Sequence, residues 1–237
     1  MLKEFAQYLV SLKDNKIYDI NGEKYSDNAL HRIAPYVPRP EKLNVTGLDS
    51  IVKLVKAEMK KVTLPIFIRV DGPTAVTVLT ALDNDMNRDV LFHAECDVPG
   101  FREGFREYEK AIIEIRSKFA PDGDVDYLLD LLSRINKENG VSTSDNGVSQ
   151  TVEARTGVSL KQMVNVRPRV TLSPYRTFLE VEQPASEFLL RLNDDGDVGL
   201  FEADGGMWKL EAKKYILAYF DDALNDEINA GHVIVMM

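Results

Sequence analysis

Three histidines, one cysteine and a few acidic and basic groupings are the residues in this 237-residue chain that could carry chemistry. His31, His93 and His232 fall in separate segments, and none has a second His or Cys three or four positions on. A zinc site shows paired ligands at short spacing, so this pattern argues against a structural metal. Cys96 follows Val90, Phe92 and Ala94 on one side of a strand-like run, with no cation beside it to stabilise a thiolate; it reads as a small core residue. Asp122, Asp124 and Asp126 begin like a calcium loop, but Tyr127 stands where that loop needs Gly and Ser133 where it needs Glu. Helix capping by Asp122 or Asp124 is the better account. Asn193-Asp194-Asp195-Gly196-Asp197 reads as a solvated hairpin tip. None of GxxxxGK[ST], GxGxxG or GxSxG occurs, so nucleotide hydrolysis and serine-hydrolase chemistry lack their usual signatures. No catalytic, cofactor-binding or metal-binding residue is assigned.

Two basic groupings remain. Arg102 and Arg106, in Phe101-Arg102-Glu103-Gly104-Phe105-Arg106-Glu107, would stack on one helix side, but Glu103 and Glu107 match them charge for charge. Arg167, Arg169 and Thr171 share one strand face, with Tyr175 and Arg176 just beyond. Cations beside an aromatic ring can hold a phosphate or a base, which makes Arg167, Arg169 and Arg176 candidate anion or nucleic-acid contacts; the competing reading is a solvated outer face or a subunit contact. Against nucleic acid stands the net charge of −9, from 29 Lys and Arg against 38 Asp and Glu.

The elements that would position these residues follow from apolar periodicity. Leu2, Phe5, Leu9 and Leu12 repeat at 3,4,3 spacing and predict an amphipathic first helix. Lys16 to Ser26 holds two short strand-like runs around Asn21-Gly22, a pair suited to a type I′ hairpin. Pro35, Pro38 and Pro40 mark an extended connector, and Thr46 with Asp49 opens a helix like a capping box. Residues 64–97 switch to strand period and predict a three-stranded antiparallel meander. Helices follow over Phe105–Phe119 and Val125–Ile135, the second stopped by Asn139-Gly140. A turn at 141–147 leads into a strand at 148–155. Strand patterns recur at 170–172, 175–181, 188–192, 198–201 and 207–212, before a last helix through Tyr215, Ile216, Tyr219, Phe220 and Leu224 and an apolar tail at 231–237. This is an α+β fold, with mixed, largely antiparallel sheets and four to five amphipathic helices. It is expected as a single unit over 1–237, with the helix and hairpin of 1–40 as a candidate assembly arm.

One cysteine allows no internal disulfide, which points to a reducing compartment. The first helix lacks the unbroken apolar stretch of a signal peptide, and the longest apolar runs fall far short of a membrane span. A soluble, cytoplasmic protein without a membrane partner is expected.

The helix Thr46-Gly47-Leu48-Asp49-Ser50-Ile51-Val52-Lys53-Leu54-Val55, the strands within 66–82, the patch Ser144-Asp145-Asn146-Gly147-Val148-Ser149-Gln150-Thr151-Val152-Glu153 and the patch Val166-Arg167-Pro168-Arg169-Val170-Thr171-Leu172 occur in an order that resembles the YfdQ-like phage and prophage family of unknown function. The resemblance covers about residues 40–225. It implies a phage-encoded protein acting in the host cell cytoplasm, and it transfers no catalytic residue. The functional expectation is a non-enzymatic protein that forms a homo-oligomeric assembly, with itself as partner. Its subunit contacts are expected at Leu2, Phe5, Leu9 and Leu12 of the first helix and at Val233 and Val235 of the tail, because these apolar residues have no assigned cover. The alternative is a nucleic-acid or nucleotide-binding module acting in phage recombination or against host defence.

Overall fold

The computed structural model describes residues 2–11, 16–26, 32–33, 38–62, 64–134, 141–145, 150–156 and 160–237. The chain divides into two compact units, 1–40 and 41–237, where one was expected. The reason is local: the first forty residues make their strand pairings among themselves.

In the first unit, α1 (Leu2–Ser11) precedes β1 (Ile17–Ile20), β2 (Glu23–Ser26) and β3 (Arg32–Ile33), which form a sheet in that order. The β1–β2 turn is the expected one. Asn21 and Gly22 sit at φ 56° and 83°, and Ile20 pairs with Glu23 across the turn.

In the second unit, β5 (Ile66–Gly72), β6 (Ala75–Leu79) and β7 (Val90–Glu95) form the expected antiparallel meander. Two parallel strands extend it: β4 (Leu43–Val45) beside β7, and β15 (Val233–Met236) beside β5. The final tail is thus a strand of its own chain's sheet. Helices α2 (Leu48–Glu58) and α5 (Trp208–Ala223) supply the apolar cover, with Leu48, Ile51, Val55, Ile216 and Phe220 fully buried in one cluster with Ile66, Ile68, Val76 and Val78. The second layer pairs β12 (Arg169–Leu172), β13 (Ser186–Leu192), β14 (Val198–Glu202) and β8 (Gly104–Arg106) with α3 (Tyr108–Lys118) and α4 (Val125–Arg134). Its core holds Phe101, Phe119 and Phe188 in edge-to-face contact, with ring centroids 5.3–6.3 Å apart. A third sheet is β11 (Leu160–Val166), β10 (Gln150–Thr156) and β9 (Val141–Asp145), and α6 (Asn225–Asn229) follows α5.

The α+β class stands, with six α-helices among the described residues. Several elements differ from expectation, each for a local reason. α2 starts at Leu48 with Gly47 as cap and no side-chain cap; Asp49 instead accepts a hydrogen bond from the Tyr219 hydroxyl. Phe105 lies in β8, because Gly104 at φ 127° breaks the helical course and the segment pairs with β14. Arg102 and Arg106 therefore share no helix face. Arg106 bonds to the Arg102 carbonyl and pairs with Glu114 at 3.2 Å, while Glu103 accepts the Glu202 N–H. The turn expected at 141–147 contains β9, and β11 had no counterpart in the pattern. Residues 175–181 are irregular, with the Gln183 side chain accepting from the Arg176 and Thr177 N–H groups and donating to the Phe178 carbonyl. That buried amide supplies the bonds a strand partner would have given. Residues 207–212 open α5, because the Asp204 carboxylate accepts from the Gly206 and Trp208 N–H groups. The stop at Asn139-Gly140, His31, Pro35 and Leu12 lie outside the described residues.

Candidate functional site

The three arginines singled out in the sequence do not form an open cationic face. Arg167, at the β12 end, pairs with Asp124 at 3.2 Å and lies over the Tyr127 ring, 4.3 Å from its centroid. Arg169 makes a forked pair with Glu187 on β13 at 2.9 and 3.1 Å. Arg176 is a core residue, 6% exposed. It pairs with Glu202 at 2.8 Å, donates to the Pro184 carbonyl and the Ser186 hydroxyl, and stacks on Trp208 at 4.1 Å. Burial pulls its pKa below the usual value, while Glu202 and Asp204 oppose that shift. Asp204 shows the converse balance. Burial pushes it up, but bonds from Ser186, Gly206 and Trp208 outweigh that and hold the carboxyl below its ordinary range. As an exposed nucleic-acid contact, Arg176 is corrected by this geometry: its charge joins the end of β14 and the start of α5 to the 176–186 loop.

Asp124 is the residue whose work sequence reasoning misjudged most. Its N–H donates to the Thr171 carbonyl at 2.9 Å and its carboxylate accepts the Thr171 N–H at 2.8 Å. It thereby fills the open edge of β12 instead of capping α4 through its side chain. Gly123, at φ 57°, makes the approach, and a Cβ there would run into the Thr171 carbonyl. The cover continues where Ala120 bonds to Ser173 and Tyr175 to Lys118. The cue in the sequence was Pro121-Asp122-Gly123-Asp124 itself, which marks a turn but says nothing of the distant strand it meets.

On the five-stranded sheet a polar row crosses β5, β6 and β7. Arg69 Nε contacts Asp71 Oδ1, and the Thr77 hydroxyl gives its one proton to Asp71 Oδ2, each at 2.5 Å. His93 Nδ1, 3.1 Å from the same hydroxyl, is then the donor in that second bond. Thr77 is 7% exposed, so this hydroxyl is closed to a substrate. Cys96 is half-buried, and burial together with Glu180, Glu95 and Asp97 pushes its thiol up to about 11, far from a nucleophile's range. A partly open apolar cleft lies between Phe101, Ile115, Phe119, Val198 and Leu200; its charged members, Arg106 and Glu114, pair with each other. Among the described residues, no three His, Cys, Asp or Glu side chains gather as a metal site, and no helix is long and apolar enough to cross a membrane.

The terminal segments behave differently from each other. Leu2, Phe5 and Leu9 of α1 are 90%, 62% and 49% exposed, and Tyr8 and Val10 join them. Val233 is buried, and Val235 packs partly against the sheet's core. The expectation that both valines lack cover is therefore corrected: parallel pairing with β5 supplies it. Comparison of the chain with protein-family models, with curated proteins and with solved structures found no match.

Proposed function

We propose that this chain is a non-enzymatic, phage-encoded protein of the host cytoplasm that works as a homo-oligomeric assembly, with residues 1–40 as its arm. The observation that carries the reading is α1. An isolated helix shorter than about 12–15 residues is marginal in water, and most helices in proteins are held by packing of an apolar face. α1 has ten residues, and Leu2, Phe5, Tyr8, Leu9 and Val10 are all exposed. The hairpin adds Ile17, Tyr18 and Ile20, also exposed. A sister copy presents the same surface at the same concentration, and closed symmetry lets each arm be covered once. Nucleic-acid binding is less well supported, because Arg167, Arg169 and Arg176 each already face a carboxylate.

Light scattering on the purified full chain tests this. The expected mass is a multiple of 26.7 kDa at micromolar concentration, and the double variant Phe5→Lys, Leu9→Lys lowers it. A wild-type mass of one chain overturns the proposal, as does an assembly the double variant leaves unchanged.

A further inference from the structure

The sheet edges of residues 41–237 are not equally protected. Thr171 on β12 has both outward backbone groups filled by Asp124. β12 and β8 each carry an arginine, and β4 is preceded by Pro40, Glu41 and Lys42. Charges and proline are the devices that keep a strand edge from pairing with another chain. β15 has neither: Val233-Ile234-Val235-Met236 is uncharged and lies at the end of its sheet, with Ile234 and Met236 42% and 36% exposed.

The geometry of that edge specifies what can sit on it. Ile66 N–H donates to the His232 carbonyl at 2.8 Å. Backbone groups of alternate strand residues turn to opposite sides, so Ile234 and Met236 also face β5, while Val233, Val235 and Met237 turn theirs to the open side. The occupant must be an extended segment without charges in register. We infer that it is β15 of a second copy, joined antiparallel about a two-fold axis through Val235. In that register Val235 meets its own copy and Val233 meets Met237, so outward-facing groups bond to outward-facing groups. Ile234 then lies opposite Met236, every contact is apolar, and no like charges oppose each other. A two-fold edge contact is self-complementary and makes one continuous ten-stranded sheet from two five-stranded ones. A stable interface buries about 800 Å² on each partner. A four-residue edge supplies only part of that, so the pairing rests on the self-association proposed above: the edge sets register and direction, and the arms supply apolar area.

The test is a symmetric pair of disulfides. Directly opposed residues in a non-hydrogen-bonded antiparallel pair have Cα atoms about 4.5 Å apart with their side chains close, the pair a disulfide can bridge. Ile234 opposite Met236 is such a pair, so the double variant Ile234→Cys, Met236→Cys, made with Cys96→Ala, is expected to cross-link most of the chain into dimers under mild oxidation. Ile234→Cys alone in the same background is expected to cross-link several-fold less. Hydrogen exchange on the wild type gives a second readout that needs no variant. The amides of Val233 and Val235 are expected to be protected in the assembly and to lose that protection on dilution to monomer, while those of Ile234 and Met236 stay protected through β5. An assembled wild type with exposed Val233 and Val235 amides, or a folded Ile234→Cys, Met236→Cys protein that does not cross-link, overturns the edge assignment and leaves the arm proposal standing. A monomeric wild type overturns both.

Discussion

Two helices of nearly equal length, α1 and α2, read alike in sequence and end differently. Both carry apolar residues every three or four positions. In α2 that stripe gives Leu48, Ile51 and Val55, none with measurable exposure, packed against the strands of the five-stranded sheet. In α1 it gives Leu2, Phe5 and Leu9, each about half exposed or more. Periodicity announces a face that needs cover but does not say where the cover comes from. α2 lies between β4 and β5 of the sheet it covers, so a short connection returns it to its own core. α1 is followed by a hairpin whose own β1 residues are exposed, so among the described residues that hairpin is not a lid for it.

Arginines show the same contrast between covered and open positions, and with a larger expected effect. Arg176→Ala leaves Glu202 without its partner inside a largely buried network and is expected to cost about 3–5 kcal/mol in urea unfolding. Arg169→Ala, which removes an exposed pair, costs under about 1 kcal/mol. Trp208, the one tryptophan, reports both because Arg176 stacks on it. Equal losses at the two sites would erase the distinction. Next in size, Ile51→Ala is expected to cost about 2–5 kcal/mol through the cavity it leaves, whereas Leu9→Ala keeps the Trp208-reported stability within about 0.5 kcal/mol. A Leu9 loss as large as that at Ile51 would mean that α1 is covered as fully as α2. Smaller again is Asp124→Ala. It opens the β12 edge and leaves the Thr171 N–H without its acceptor, at about 1–3 kcal/mol and with faster exchange of that amide. Unchanged exchange there would remove the contrast between the guarded edge and β15.

Much of the fold was legible because local rules agreed with it. Asn21-Gly22 could form its turn with no outside help, and the 66–95 meander pairs strands that are neighbours in sequence. The failures fall where a distant partner decides. Trp208, Leu210 and Ala212 alternate like a strand, yet Asp204 starts a helix there and Ala212, Ile216 and Phe220 become its buried face. Phe105 fits a helical repeat with Tyr108 and Ile112, but β14 recruits it as an edge strand. Of the candidate site residues, Arg169 lies with Thr171 on β12 as expected, while Arg167 falls between β11 and β12 and is on neither strand. Their carboxylate partners, 43 and 18 residues away, were invisible to any local pattern.

What the sequence determined by itself was the set of amphipathic surfaces and the turns between them, because periodicity and turn chemistry act over a few residues. Only the tertiary structure decided which surfaces are spent inside the chain. Val233 and Val235 found cover on β5, parallel to a strand more than 160 positions earlier. Arg176 became a core cation because Glu202, Ser186 and Trp208 converge on it from three separate segments.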